Sequence, residues 1–170
     1  MKTRNIFPKL ALAIVLASVH SAGVYAADFN GTATATVIVP LSISEDTVMN
    51  FGSLGAGPAG GTVVLDQADG VTPSGDVNII GGGQLSGDFT ITGDPSQSYT
   101  ISYGPGQLDT SPASTPMNLT AINSNASGVI GAGGTESIIV GATLNVNGGQ
   151  PAGSYSTAFS SPYTITINYP

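Results

Sequence analysis

The side chains that could carry out acid–base or metal chemistry in this chain are carboxylates. Asp66 and Asp69 are three positions apart, and Asp76 follows them. Two carboxylates at short range are the pair that glycosidases use, and clustered carboxylate oxygens bind Ca²⁺. Aspartates between short apolar runs more commonly occupy turns, where they accept bonds from their own backbone. Since no EF-hand spacing is present, we interpret the three as turn residues, with weak calcium binding and hydrolysis as the alternatives.

Other reactive side chains are confined to the first 20 residues. The three bases are Lys2, Arg4 and Lys9, the one histidine is His20, and the sequence has no Cys. Residues 27–170 hold all ten acidic side chains and no imidazole, thiol or basic group. This excludes Ser–His and Cys–His catalysis and predicts no metal site and no cofactor. It also argues against a nucleic-acid partner, because phosphate contacts depend on Lys and Arg. We therefore expect a protein that is not an enzyme.

The first 26 residues have the layout of a secretory signal peptide. A basic start is followed by the apolar run LALAIVLA at 10–17 and by Val24-Tyr25-Ala26, a small-x-small cleavage site. The apolar run is too short for the roughly 20 residues of a membrane-spanning helix, and no later stretch is apolar enough to span. We expect a secreted protein, located in the periplasm or at the cell surface, with residues 27–170 forming one domain.

Short alternating runs separated by Gly, Pro, Asn and Asp clusters predict an all-β fold, an antiparallel β-sandwich. Residues 105–116 are expected to form a longer surface loop. The predicted strands are 29–39, a strand starting at 41–45, 48–54, 61–66, 76–80, 88–92, 99–103, 117–122, 137–146 and 163–169.

The two ends of the domain carry the clearest alternation. One face of the N-terminal run has apolar side chains, with Thr on the other face, and the C-terminal run does the same with Tyr and Ile. Pro40 cannot donate to a sheet ladder and marks an edge or a change of partner. We predict that these apolar faces serve assembly, and they consist of Ala33, Ala35, Val37, Val39, Leu41 and Ile43 together with Tyr163, Ile165, Ile167 and Tyr169.

Burial of the N-terminal run would have a large effect on stability. Val37, Val39, Leu41 and Ile43 would contribute roughly 1.5–3 kcal/mol each, and their total is comparable to a domain's net stability of about 5–15 kcal/mol. The run should therefore be buried, either in its own sandwich or as a strand added to a neighbour's sheet edge. The second option is a head-to-tail contact, which propagates into filaments.

Five tyrosines raise the alternative of a binding module for glycans or cell-surface polymers. Such a site would use the loops around 104–116 and 148–155 and an exposed Tyr surface. The tyrosines at alternating strand positions favour packing instead. They are Tyr99, Tyr103, Tyr155, Tyr163 and Tyr169.

Seven segments, in this order, resemble the secreted bacterial family described as domain of unknown function 4402. They are GTATATVIVPLSI at 31–43, MNFG at 49–52, GGTVVLD at 60–66, FTITG at 89–93, VGATL at 140–144, QPAGSY at 150–155 and YTITINY at 163–169.

That family is similar in turn to spore coat protein U and to the archaic chaperone–usher pilins. The resemblance implies an immunoglobulin-like sandwich, a fimbria-like or surface-layer role and strand exchange between copies or related subunits. It also implies a periplasmic chaperone as a partner, and it implies no catalytic residue. Those pilins usually have a cysteine pair, which this chain lacks, and Ser160-Ser161-Pro162 interrupts what would be one final strand.

The processing site has a simple consequence for proteolysis. Trypsin cleaves after Lys and Arg, and both are absent beyond Lys9. The mature protein should therefore resist trypsin even in denaturant at a concentration that trypsin tolerates, and mass spectrometry should return the intact 27–170 chain. Tryptic fragments of the purified mature chain would contradict the assigned cleavage after Ala26.

Overall fold

The structure is a computed structural model that describes residues 26–170. The predicted signal peptide at 1–26 lies outside the described residues except for Ala26. Two compact units are distinguished, one ending at Thr36 and the other comprising Val37–Pro170. In the described part of the first unit, residues 26–36, every side chain is exposed and no strand is formed.

The second unit is built of strands, and no helix is present among residues 26–170. None of these residues therefore forms a helix that could cross a membrane. The strands are β1 (Ser42–Thr47), β2 (Ser53–Leu65), β3 (Val71–Gly81), β4 (Gly87–Thr92), β5 (Thr100–Gly104), β6 (Gly106–Asp109), β7 (Met117–Ser124), β8 (Thr135–Val146), β9 (Ser156–Ser161) and β10 (Thr164–Asn168).

The main sheet is organised around β8, which is 12 residues long. Its first half pairs with β4 and its second half pairs with β2, while β7 lies along the other edge. The sheet continues from β4 to β1, from β2 to β3, and from β7 through β6 to β9. All of these pairs are antiparallel. Because β8 changes partner along its length, it connects both parts of the sheet.

The second sheet has only two strands, β5 and β10. They pair antiparallel from Thr100 opposite Asn168 to Gly104 opposite Thr164. The half-buried Ile165 and Ile167 of β10 pack on the core, and the Thr side chains between them are exposed. This is the alternation expected of a strand with one face on a core and one in water. The protein is thus an all-β, antiparallel sandwich of unequal sheets, as predicted.

Buried apolar side chains form two clusters. The large cluster is Phe51, Val63, Leu65, Val77, Met117, Leu119, Ala142, Leu144 and Val146. The small cluster is Phe89, Ile91, Tyr99, Ile130, Ile138 and Val140. Met49, Ile122 and Tyr163 pack against both clusters and connect them. The strands β5 and β10 contribute to the small cluster, so the large cluster depends on other covering elements.

Most of the predicted strands are confirmed, with boundaries that differ by a few residues. The runs at 41–45, 61–66, 76–80, 88–92, 99–103, 117–122, 137–146 and 163–169 all overlap an observed strand. The predicted interruption at Ser160-Ser161-Pro162 is also observed, since β9 ends at Ser161 and β10 begins at Thr164.

The strand predicted at 48–54 is wrong over most of its length. Only Ser53 and Leu54 belong to β2, and Asn50 makes a single bridge to Leu85. The Asn50 Oδ1 accepts a bond of 2.8 Å from the Gly52 backbone N–H, and Gly52 has a φ of 74°. The side chain thus closes a local turn that competes with strand pairing.

Three further predictions of secondary structure need correction. The loop predicted at 105–116 contains β6, and the sequence does not predict β9, because runs of four and six residues rich in Gly, Gln, Ser and Thr give little alternating signal. The strand predicted at 29–39 is not formed, and these residues are exposed. A strand needs a hydrogen-bonding partner, and alternation along one segment does not supply it.

Close packing at Gly106 gives a test of how the two sheets meet. A Cβ added there would lie 2.6 Å from the backbone nitrogen of Tyr163. Tyr163 lies in the short connection between β9 of the main sheet and β10. Gly106→Ala should lower the free energy of unfolding by about 1–3 kcal/mol, as overpacking does. Urea unfolding followed by circular dichroism measures the loss.

Gly133→Ala is the matched control for Gly106→Ala. A Cβ at Gly133 meets no atom within 4 Å, so the change should stay within about 0.5 kcal/mol of the parent protein. Equal stability of the two variants would contradict the described approach of Gly106 to Tyr163.

Candidate functional site

An open groove of about 1100 Å³ lies in the Val37–Pro170 unit. Its floor is the inner face of the large cluster, with Phe51, Met117, Leu119, Leu144 and Val146. The floor itself has no hydrogen-bonding side chain, while the walls carry polar groups such as Glu45, Asn50 and Gln150. The remaining walls come from β1, the start of β2, β4, the segment before β9 and the segment entering β10.

Two strands that line the groove have one unpaired edge each. β1 pairs only with β4, and β10 pairs only with β5, among the described residues. Ile43 and Glu45 of β1 and Ile165 of β10 contribute to the lining. An unpaired edge presents a row of free backbone N–H and C=O groups, which is a template for another strand. The groove therefore combines an apolar floor with strand edges able to bind extended backbone.

The rim of the groove exposes large apolar side chains beside its polar groups. Val48 is 69% exposed, and Leu85 is 44% exposed. Both line the groove together with the half-buried Met49 and Leu54. Exposed apolar side chains that gather at a groove are typical of a site of contact with another molecule.

Tyr163 lies where the groove and both clusters meet. Its ring makes an edge-to-face contact with Phe89, with ring centroids 6.5 Å apart. Its hydroxyl is buried and makes no hydrogen bond of good geometry among residues 26–170, although the Glu45 carboxylate lies close enough to influence it. Burial raises the pKa of Tyr163 to about 12, and the negative charge of the neighbouring Glu45 adds to this. An unsatisfied buried hydroxyl reduces the stability of the isolated domain.

The predicted assembly residues divide into three groups. Ala33 and Ala35 lie in the exposed first unit, while Val37 is 94% exposed and Val39 is half exposed. Leu41, Ile43, Tyr163, Ile165 and Ile167 are half-buried and pack on the small cluster. Ile43, Tyr163 and Ile165 also line the groove.

Tyr169 makes a distinct contact of its own. Its hydroxyl donates to the Val39 carbonyl oxygen at 2.8 Å and accepts from the Asp94 backbone N–H at 2.7 Å. The C-terminal end of the domain thereby holds the backbone just before β1.

Sequence reasoning missed several groove residues. Val48 and Met49 fall in the strand predicted at 48–54, Leu85 follows a glycine run, and the lining residues from Gln150 to Tyr155 fall in the loop predicted around 148–155. The signal available was the presence of large apolar side chains next to turn residues. Only the paired strands show that these separate segments border one groove.

The family comparison covers the part of the chain that builds the groove. The family model described as domain of unknown function (DUF4402) matches residues 41–169. The chain belongs to this DUF4402 family. No curated protein and no solved structure matches it. The match to the DUF4402 model spans every strand of the sandwich, and residues 26–40 precede it.

The carboxylates of this DUF4402 domain are used in turns and loop contacts. Asp66 Oδ1 accepts from the backbone N–H groups of Ala68 and Gly70 at 2.8 and 2.9 Å. Asp69 Oδ1 accepts from the Ser86 backbone at 2.7 Å and from its hydroxyl at 2.6 Å, and these bonds lower the pKa of Asp69. Asp76 accepts from the Ala59 backbone at 3.3 Å. Residues 26–170 contain no group of three acidic, His or Cys side chains placed to hold a metal ion.

The tyrosines pack against the domain, as the alternation favoured. Tyr99 is buried and donates to Glu136 Oε2 at 2.7 Å. Tyr155 is half-buried and donates to the Pro151 carbonyl at 2.8 Å. All five tyrosines among the described residues are buried or half-buried. They therefore do not form an exposed aromatic platform.

The unsatisfied hydroxyl of Tyr163 predicts an unusual response to substitution. Tyr163→Phe keeps the contact with Phe89 and removes the buried polar atom, so the free energy of unfolding should rise by about 1 kcal/mol. The folded-state pKa of about 12 lies above the ordinary Tyr value of 10. This difference favours folding below about pH 10 and is lost as the pH rises through 12. The variant should therefore unfold at higher pH than the parent in an alkaline titration.

Tyr99→Phe is the control, because this hydroxyl has a partner. Loss of the bond to the Glu136 carboxylate should lower the free energy of unfolding by about 1.5 kcal/mol. Chemical denaturation at neutral pH compares the two variants directly. The same sign of change in both would show that the Tyr163 hydroxyl has a partner in solution.

Proposed function

We propose that this protein is an exported, non-enzymatic structural subunit that assembles by strand exchange, in the manner of a fimbrial or surface-layer protein. Residues 29–39 of one copy would occupy the groove of the next copy. The observation that carries the proposal is the open apolar groove lined by β1 and β10, each with an unpaired edge. A groove of this kind accepts an extended segment that adds a strand.

The N-terminal segment has the properties that such a groove requires. Phe29 is 93% exposed and Val37 is 94% exposed, and Ile38 and Val39 are about half exposed. The segment from 29 to 44 carries no charged side chain. Inserting it into the groove would therefore bring in no charge of its own, so that Glu45 would be the one charged side chain of the lining, and Thr32, Thr34 and Thr36 would face away from the groove floor.

Insertion into the same copy is disfavoured by the chain between Val39 and Ser42. A tight hairpin needs residues that adopt a positive φ, usually Asn, Asp or Gly. The sequence here is Val39-Pro40-Leu41-Ser42, and Tyr169 holds the Val39 carbonyl in place. Insertion into a second copy requires no such reversal. Each subunit would then give one segment and receive another, a head-to-tail contact that propagates.

The charge distribution sets the kind of contact that copies can make. With ten acidic and no basic side chains in residues 27–170, two copies repel each other and cannot form ion pairs. Apolar burial and backbone hydrogen bonds would supply the association, and salt would promote it by screening the repulsion. Before assembly, a periplasmic chaperone would cover the groove through the same apolar contacts and backbone hydrogen bonds.

The alternative of a self-contained binding module receives less support. It requires residues 31–39 to complete their own sandwich and exposed tyrosines on the loops around 104–116 and 148–155. The segment forms no strand, and the tyrosines are packed. The open groove favours assembly.

Deleting residues 27–39 tests strand exchange. The wild-type 27–170 chain should form oligomers that gel filtration and electron microscopy detect, with more of them at high salt, and the deletion variant should stay monomeric. Adding a synthetic 29–39 peptide to that variant should raise its melting temperature, because a ligand of the folded state stabilises it. A folded deletion variant together with a purely monomeric wild type would refute the proposal.

Cysteine cross-linking tests which surface receives the segment. The chain has no Cys, so a Val37→Cys copy can be mixed with a differently tagged copy carrying Val48→Cys at the groove rim. The control partner carries Ile80→Cys, which is 74% exposed on β3 and does not line the groove. Oxidation should join the tagged copies through position 48 and not through position 80.

A further inference from the structure

A row of uncharged polar side chains crosses the outer face of the main sheet. Its members are directly paired in register from β9 through β6, β7, β8 and β2 to β3, and they are Ser161, Gln107, Asn118, Asn145, Thr62 and Ser74. Directly opposed residues place their side chains on the same face of a sheet. Asn118 lies between the buried Met117 and Leu119, so this face is the one opposite the apolar core.

Part of this row lines a shallow groove of about 580 Å³. Gln107, Asn118, Thr120, Asn145 and Ser161 contribute its polar groups, and Pro105 and Gly106 complete it. No charged side chain lines it. The groove is separate from the apolar one, because the two lie on opposite faces of β7 and β8.

Hydrogen bonds fix the amide side chains of the groove. Gln107 Nε2 donates to Asn118 Oδ1 at 2.9 Å, and Asn145 Nδ2 donates to Thr120 Oγ1 at 2.8 Å. Asn145 Nδ2 also donates to the Asn118 backbone carbonyl at 3.1 Å. These bonds leave Asn118 Nδ2 and Asn145 Oδ1 without a protein partner among residues 26–170. The free donor of Asn118 and the free acceptor of Asn145 are therefore fixed in position on two directly paired residues.

We propose that this groove binds a neutral polysaccharide. Sugar hydroxyls donate and accept at once, which matches the free donor of Asn118 and the free acceptor of Asn145. Residues 27–170 have no Lys or Arg that could form an ion pair with an anionic polymer, and their ten acidic residues repel such a polymer. The polar row runs across six strands at a spacing of about 4.8 Å, so an extended glycan can lie along it on both sides of Asn118 and Asn145. This inference does not depend on strand exchange.

Asn118→Asp is the variant that tests the site. It keeps the shape and the Oδ1 acceptor and replaces the free donor by a negative oxygen. Asn78→Asp adds the same charge on β3, at an exposed residue that does not line the groove. Isothermal titration calorimetry of the 27–170 chain would use cellohexaose and maltohexaose at concentrations up to about 10 mM, since a contact of this size gives weak binding. Oligogalacturonate serves as the anionic probe.

Wild type and Asn78→Asp should bind at least one neutral hexasaccharide, and Asn118→Asp should bind it about fivefold or more weakly. Circular dichroism should show that both variants keep the parent fold. If the wild type binds neither cellohexaose nor maltohexaose, the proposal is overturned. Equal weakening by both variants, or equal binding of oligogalacturonate, would overturn it as well.

Discussion

The unequal size of the two sheets is the constraint on which the rest of the structure depends. The eight-stranded sheet supplies every buried residue of the large cluster except Phe51, whereas the second sheet among the described residues consists of β5 and β10. These two strands contribute to the small cluster, and the large cluster is left with the groove above it. Tyr163 lies at the boundary, where its ring packs well and its hydroxyl finds no partner. A domain with this arrangement gains stability from any extended apolar segment that fills the opening.

Residues 26–170 contain no Lys or Arg, and this affects both surfaces of the domain in the same direction. Carboxylates without Lys or Arg cannot form ion pairs, so Asp66 and Asp69 accept bonds from backbone N–H groups and a Ser hydroxyl instead. The outer face of the main sheet uses amides and hydroxyls in place of charges. The two surfaces therefore differ in chemistry. The inner groove suits apolar chain with free backbone groups, and the outer groove suits a hydroxyl-rich, uncharged ligand.

Alternation predicted the sandwich and most of its strands because one face of each is buried against a core. In β8, Ile138, Val140, Ala142, Leu144 and Val146 share a face in the sequence and are all buried in the structure. β6 and β9 could not be predicted in this way, since they are short and rich in Ser, Thr and Gly. The groove was beyond sequence reasoning for another reason. Its walls come from segments far apart in the chain, and only the pairing of β1 with β4 and of β10 with β5 brings them together.

The disagreement at residues 29–39 has a physical meaning. The preference of Val, Ile and Thr for strands reflects packing on a pleated surface, and it does not specify which chain supplies that surface. The alternation there is as regular as in β10, yet the apolar face at Val37 is exposed and the run pairs with no strand among residues 26–170. β10 satisfies its own pattern with β5 and the small cluster. The N-terminal run has the same pattern but packs on no surface of the domain. The groove in turn has an apolar floor with no strand packed on it. In the proposed assembly, a second copy would supply what each of them lacks.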